Sequence, residues 1–135
     1  MKIFLASHGK FASGILSSIN ILFGNTDKLT VYDAYLDASS IYDVLDNYFE
    51  STTESDLVVL LSDLFGGSVN QSMVQYLGRP NTFLIAGVNL ALVLELMVMT
   101  DINRESLTEL VQNSREMLRL VELENLEPLN EEDFF

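Results

Sequence analysis

The chain contains no cysteine, a single histidine and only seven basic residues. Without cysteine there is no disulfide framework, no thiolate nucleophile and no sulfur ligand for a metal. One histidine and no cysteine are too few nitrogen and sulfur ligands for a zinc site. Seven Lys and Arg against 20 Asp and Glu leave a net charge of −13, and no basic cluster offsets it. A nucleic-acid backbone or an anionic membrane surface would repel such a chain. A basic protein partner would be drawn to it faster, although the acidity equally serves solubility. Two prolines and seven glycines among 135 residues leave no room for a long flexible linker. Long hydrophobic runs are missing too. The longest, Leu90 to Met99, is broken by Glu95 and covers about half of the ~20 residues that a membrane span needs. The opening apolar stretch, Met1 to Ala6, is too short for a signal-peptide core and runs into Ser7-His8-Gly9-Lys10. A soluble cytoplasmic protein is the expectation.

What is present is ample apolar material, 48% of the chain, enough for one core. Short apolar runs alternate with helical patterns, the mark of βαβ units and a parallel sheet. Ile3 to Ala6 reads as a first strand. Ile15, Leu16, Ile19, Leu22 and Phe23 form the stripe of a helix that Gly24 stops. Leu29 to Tyr32 is a second strand, and Ser40 caps a helix with the stripe Ile41, Val44, Leu45, Tyr48 and Phe49. Leu57 to Leu61 is apolar on both faces, as a central parallel strand must be. Val69, Met73, Tyr76 and Leu77 mark a third helix, closed by Gly78-Arg79-Pro80. Thr82 to Ala86 is a fourth strand. Leu90 to Met99 is apolar almost all round, so as a helix it belongs in the interior or in a subunit interface. A last helix starts near Asn103, with Leu107, Leu110, Val111 and Ser114 on one face. Met117 to Leu123 fits neither period and reads as a helix extension or an edge strand. The expected organisation is one domain over residues 1–123 and an acidic tail over 124–135, with Phe134 and Phe135 free or docked.

This order fits an α/β, flavodoxin-like, doubly wound and mainly parallel sheet with helices on both faces. Ligands and chemistry in such sheets lie beyond the carboxyl ends of the strands, near the switch point beside strand 1. That edge gathers Ser7-His8-Gly9, the turn Asp63-Leu64-Phe65-Gly66-Gly67-Ser68, and Gly87-Val88-Asn89. A lone histidine is more often a satisfied polar residue than a catalyst, but at the end of strand 1 the His8 imidazole faces the usual site. Asp63 can serve as an ordinary turn residue. It can also accept a hydrogen bond from one ring nitrogen of His8, fixing the tautomer and leaving the other nitrogen as nucleophile. Phe65, Gly66, Gly67 and Ser68 precede a helix, where consecutive amides suit an anion and glycines let a phosphate approach. Ser68 can cap that helix or donate to a phosphoryl oxygen. Gly-Gly-Ser is also a common strand-to-helix turn. No nucleotide-binding glycine motif is present, and no cofactor or metal is expected.

The strand ending in Ser7-His8-Gly9, the Asp63 to Ser68 turn, and Ala86-Gly87-Val88-Asn89 resemble the mannose-type IIA domain of the bacterial sugar phosphotransferase system (PTS). The likeness spans roughly Met1 to Arg119. It implies a phosphotransferase component that works through a phosphohistidine: His8 receives a phosphoryl group from the carrier HPr and passes it to a IIB component for sugar uptake. Membrane IIC and IID components act downstream. It further implies that Asp63 orients His8, that Ser68 lies in the phosphate site, and that the protein is a homodimer exchanging a C-terminal edge strand at Met117 to Leu123. Two positions depart from the family pattern: Val69 and Ala91 stand where proline is frequent. With no fused IIB domain in the chain, that partner is expected as a separate polypeptide. A regulatory or dihydroxyacetone-kinase-associated carrier of the same fold is the alternative. A receiver domain phosphorylated on Asp63 fits less well, because Ser7-His8 replaces the acidic pair that would hold Mg²⁺ and Ala86-Gly87 ends the fourth strand without the expected hydroxyl.

Overall fold

A computed structural model of the chain describes residues 1–125. Four strands form one sheet: β1 (Lys2–His8), β2 (Leu29–Ala34), β3 (Val58–Ser62) and β4 (Thr82–Ala86). Their order is β2-β1-β3-β4 and every pairing is parallel. Five α-helices alternate with or follow them: α1 (Phe11–Leu22), α2 (Ile41–Glu50), α3 (Ser68–Val74), α4 (Leu90–Val98) and α5 (Arg104–Arg115). The doubly wound α/β reading is therefore correct. Among the described residues, no helix is long and apolar enough to cross a membrane.

Strand alternation splits the interior in two. Ile3 and Leu5 of β1, with Val59 and Leu61 of β3, pack against Ala12 and Ile19 of α1, Leu92, Val93, Leu96 and Met97 of α4, and Leu107 and Leu110 of α5. Phe4 and Ala6, with Val58 and Leu60, face Ile41 and Leu45 of α2 and Val69 and Met73 of α3. All five residues of β3 are buried, as a strand covered on both faces requires. Most of the apolar girth of α4 is spent inside the chain, and Val98 is its one clearly exposed large apolar residue.

Caps fix the helix starts. The Ser40 hydroxyl accepts from Tyr42 N–H, and Asn103 with Ser106 makes a reciprocal capping box on α5. Asn89 accepts from Leu92 N–H at 2.9 Å and donates through Nδ2 to Ser114 O at 2.8 Å. One side chain thus caps α4 and ties it to the end of α5. The third helix is shorter than its stripe predicts: α3 stops at Val74 and a 3₁₀ turn, Gln75–Gly78, carries Tyr76 and Leu77. Tyr76 leaves the α-helical register to stack on Phe49 at 4.6 Å.

Met117 to Leu123 joins neither α5 nor the sheet. The α-helix ends at Arg115, and a 3₁₀ turn covers Leu123–Asn125. Leu118 and Leu120 are 87% and 86% exposed. The rest of the acidic tail, with Phe134 and Phe135, lies outside the described residues.

Candidate active site

β1 outruns β3. Its last pairing with β3 is Ala6 with Ser62, whereas it continues beside β2 through His8 and Ala34. His8 is thus the final strand residue, at the point where the strand order switches sides. Ser7, fully buried, points to the α1 face, where its hydroxyl donates to Gly9 O at 2.9 Å and accepts from Ala12 N–H at 2.8 Å. The next side chain along a strand faces the opposite way, so His8 points to the α3 side. Ser7 builds the turn and His8 looks out of it.

Asp63 follows β3 and meets His8 directly. Its Oδ2 accepts from the His8 backbone N–H and from His8 Nδ1, both at 2.9 Å. A carboxylate only accepts, so Nδ1 carries the proton and Nε2 keeps the lone pair. The Asp63 side chain is 13% exposed and that of His8 41%. The carboxylate is sheltered while the ring opens to solvent. Asp63 Oδ1 is buried with no hydrogen-bond partner among the described residues.

The loop after Asp63 brings a second set of groups to the ring. Gly66 has φ +75°, left-handed backbone that favours glycine. Gly67 has an ordinary φ, and there the constraint is space: a Cβ would lie 3.3 Å from His8 Cε1. Gly67 rather than Ser68 occupies the cap position of α3. The Ser68 hydroxyl therefore does not cap. It lies 3.3 Å from His8 Nε2 and 2.5 Å from the Tyr35 hydroxyl. The Gly67 amide donates back to Leu64 O at 3.3 Å, and the Phe65 side chain is 83% exposed. The third motif is structural at this edge: Gly87 and Val88 amides both donate to Ser62 O, which fastens the end of β4 beside Asp63.

The structure therefore unites His8, Asp63, Gly67 and Ser68, with Phe65 and Gly66 in the connecting loop. It adds Tyr35, which the sequence reading missed. An aromatic residue at the carboxyl end of β2, on the same edge as His8, was the available signal. Among the described residues, no group of three His, Asp or Glu side chains could hold a metal ion.

An imidazole with one nitrogen pinned by a carboxylate and the other facing a hydroxyl is suited to carrying an electrophilic group on that free nitrogen. Residues 2–115 match the family EIIA-man, described as the PTS system fructose IIA component. The chain belongs to this family. Its fold is also that of PTS structures. A phosphoenolpyruvate-dependent sugar PTS protein from Klebsiella pneumoniae, described as a permease, is 27% identical, with 88% of this chain and 89% of that chain covered and a TM-score of 0.81. A PTS IIA protein associated with the fucose utilization operon of Streptococcus pneumoniae is 29% identical, with 88% and 91% covered and a TM-score of 0.75. The mannose/sorbose-specific IIA subunit of Enterococcus faecalis shares the fold at 24% identity, with 93% and 98% covered and a TM-score of 0.78. No curated protein matches the chain. As an EIIA-man member, the chain is a IIA component of a sugar phosphotransferase system.

Proposed function

We propose that this IIA component carries a phosphoryl group on His8 Nε2, taking it from phosphorylated HPr and giving it to a IIB component for sugar uptake. The observation that carries the reading is the double contact of Asp63 Oδ2 with His8, which leaves Nε2 as the nucleophile. In the forward step the Nε2 lone pair attacks the phosphorus held on the donor histidine. A new N–P bond forms as the donor's N–P bond breaks, and that electron pair returns to the donor ring. The proton on His8 Nδ1 stays in place. The phosphorylated ring is cationic, and the Asp63 carboxylate beside Nδ1 stabilises that charge. Transfer to IIB repeats the exchange in the other direction.

The Ser68 hydroxyl and the amides of Phe65, Gly66 and Ser68 are the proposed contacts of the phosphoryl oxygens. The loop after Asp63 exposes two large apolar residues, Leu64 and Phe65. They suit docking of a carrier protein whose basic surface complements the net charge of −13.

We also propose a homodimer in which Met117 to Leu123 of each copy adds to the β4 edge of the other. β4 is an edge strand in the single chain, and only Ile85 of its five residues is buried. A cleft of about 450 Å³ between Thr82–Ile85 and α5 lies along it. Met117, Leu118, Leu120, Val121 and Leu123 are all exposed, and apolar side chains beside an open strand edge invite pairing.

The test of the carrier role is incubation with enzyme I, HPr and labelled phosphoenolpyruvate. Label that survives base and is lost in acid supports a phosphohistidine; label lost in base would point to an acyl phosphate on Asp63 instead.

A further inference from the structure

We propose that Tyr35 is a positioning residue for phosphoryl transfer, its hydroxyl setting the rotation of the Ser68 hydroxyl toward His8 Nε2. The inference rests on the reading of His8 as the phosphoryl acceptor, and it assigns a role to a residue outside the three motifs.

Three observations meet at Tyr35. It directly follows β2, with φ +69°, a backbone region that a bulky aromatic residue rarely enters. Asn81 is the other non-glycine residue with positive φ among those described, and asparagine tolerates it. Core packing does not explain the conformation, because Tyr35 is 61% exposed. What does hold it is the site. Its ring lies 5.4 Å from the His8 ring, tilted by 37°, and its hydroxyl is 2.5 Å from Ser68 Oγ. Strained backbone persists where surrounding contacts over-determine it, and such places gather at functional sites.

Counting hydrogens gives the direction. Asp63 accepts from Nδ1–H, so Nδ1 holds the ring proton and Nε2 can only accept. Ser68 has one hydroxyl hydrogen and two polar neighbours, Nε2 and the Tyr35 oxygen. If Tyr35 donates to Ser68 Oγ, the Ser68 hydrogen is directed at Nε2. Tyr35 has no other hydroxyl partner among the described residues to draw its hydrogen away. The resting site is then a chain from Tyr35 O–H to Ser68 O–H to Nε2. When the Nε2 lone pair forms the N–P bond, the Ser68 hydrogen is released to a phosphoryl oxygen. Tyr35 still occupies the serine's lone pair, so the hydroxyl turns toward the new charge and not away from it. No proton changes owner.

Tyr35→Phe keeps the ring and removes the hydroxyl. Its single-turnover rate at saturating phosphorylated HPr should fall about fivefold, the effect of roughly one neutral hydrogen bond. The HPr concentration for half-saturation should change less than about twofold, because a positioning hydroxyl acts after binding. In the unphosphorylated protein, the Nε2 ¹⁵N resonance should move in the same direction as in Ser68→Ala. The double variant should be no slower than Ser68→Ala alone, since the two residues act as one chain. Tyr35→Asn, which suits left-handed backbone, should melt no lower than the parent yet transfer as slowly as Tyr35→Phe. That pairing separates positioning from a structural role. A parental rate and an unmoved Nε2 signal in Tyr35→Phe would overturn the proposal. So would an effect confined to half-saturation, which would make Tyr35 a docking contact. If the parent protein accepts no phosphoryl group, the carrier reading fails, while the ¹⁵N comparison alone still decides whether Tyr35 governs the Ser68 contact with Nε2.

Discussion

Asp63 Oδ2 accepts from both the backbone N–H and the ring Nδ1 of His8, at 2.9 Å each. One oxygen therefore fixes the strand end and the ring plane together, and any loss at Asp63 acts on both.

Asp63→Asn should retain helix content while slowing transfer about 100-fold. The amide oxygen can still accept from His8, but the charge that stabilises a phosphorylated imidazolium is gone. Both bonds from His8 would weaken from charge-assisted to neutral, so a stability loss of about 1–3 kcal/mol should accompany it. Rapid-quench transfer assays and thermal unfolding check the two parts. A rate within twofold of the parent would reduce Asp63 to a turn residue.

Gly67→Ala tests the closeness of the loop. The added methyl would meet His8 Cε1 at 3.3 Å and Leu64 side-chain atoms at 3.5 Å, so ring or loop must shift by a few tenths of an ångström. Helix stability should fall by roughly 0.5–1 kcal/mol, since the backbone φ is ordinary but alanine is a poorer N-cap than glycine. Transfer should slow about tenfold, because reaction rates depend steeply on the placement of the reacting atoms. An unchanged rate in a single-turnover assay would mean that the loop is free to give way.

The site was legible in the sequence to the extent that strand ends were. The continuous apolar run of β3 located Asp63, and β1 located His8, because both strands are buried on two faces and announce themselves without tertiary context. Tyr35 was legible only as an aromatic residue just past β2. Its role depends on a positive φ and on the position of β2 beside β1, neither of which a side-chain pattern encodes. Ser68 as a cap was a fair reading of a hydroxyl before a helix, but Gly66 and Gly67 move the cap back by one residue. The α3 stripe overran its helix because Tyr76 follows Phe49 and not the 3.6-residue repeat. Met117 to Leu123 stayed ambiguous for a physical reason: among the described residues it pairs with no strand and its apolar side chains are exposed, so neither period was selected.

Removing every residue after Arg115 should leave monomer or aggregate, if that segment completes the β4 edge of a second copy. Sedimentation of the parent and truncated proteins measures this. A parent chain that sediments as a well-folded monomer contradicts the exchanged-strand dimer.

Free phosphate at tens of millimolar should move the His8 ring signals, and Ser68→Ala should reduce the movement. Each contact contributes about 1 kcal/mol net of desolvation, so affinity near millimolar is expected. Asp63 repels the anion, which is why lasting occupancy needs a covalent bond. Ring signals that stay still while others respond would place the anion elsewhere.

The central claim is that the phosphoryl group resides on the ring nitrogen that Asp63 leaves free. The direct measurement is ³¹P and ¹⁵N NMR of the protein phosphorylated through HPr, with His8 labelled in the ring. Phosphorus coupled to Nε2, with Nδ1 still protonated beside Asp63, is the predicted result. Phosphorus coupled to Nδ1, or found on any residue other than His8, would contradict it.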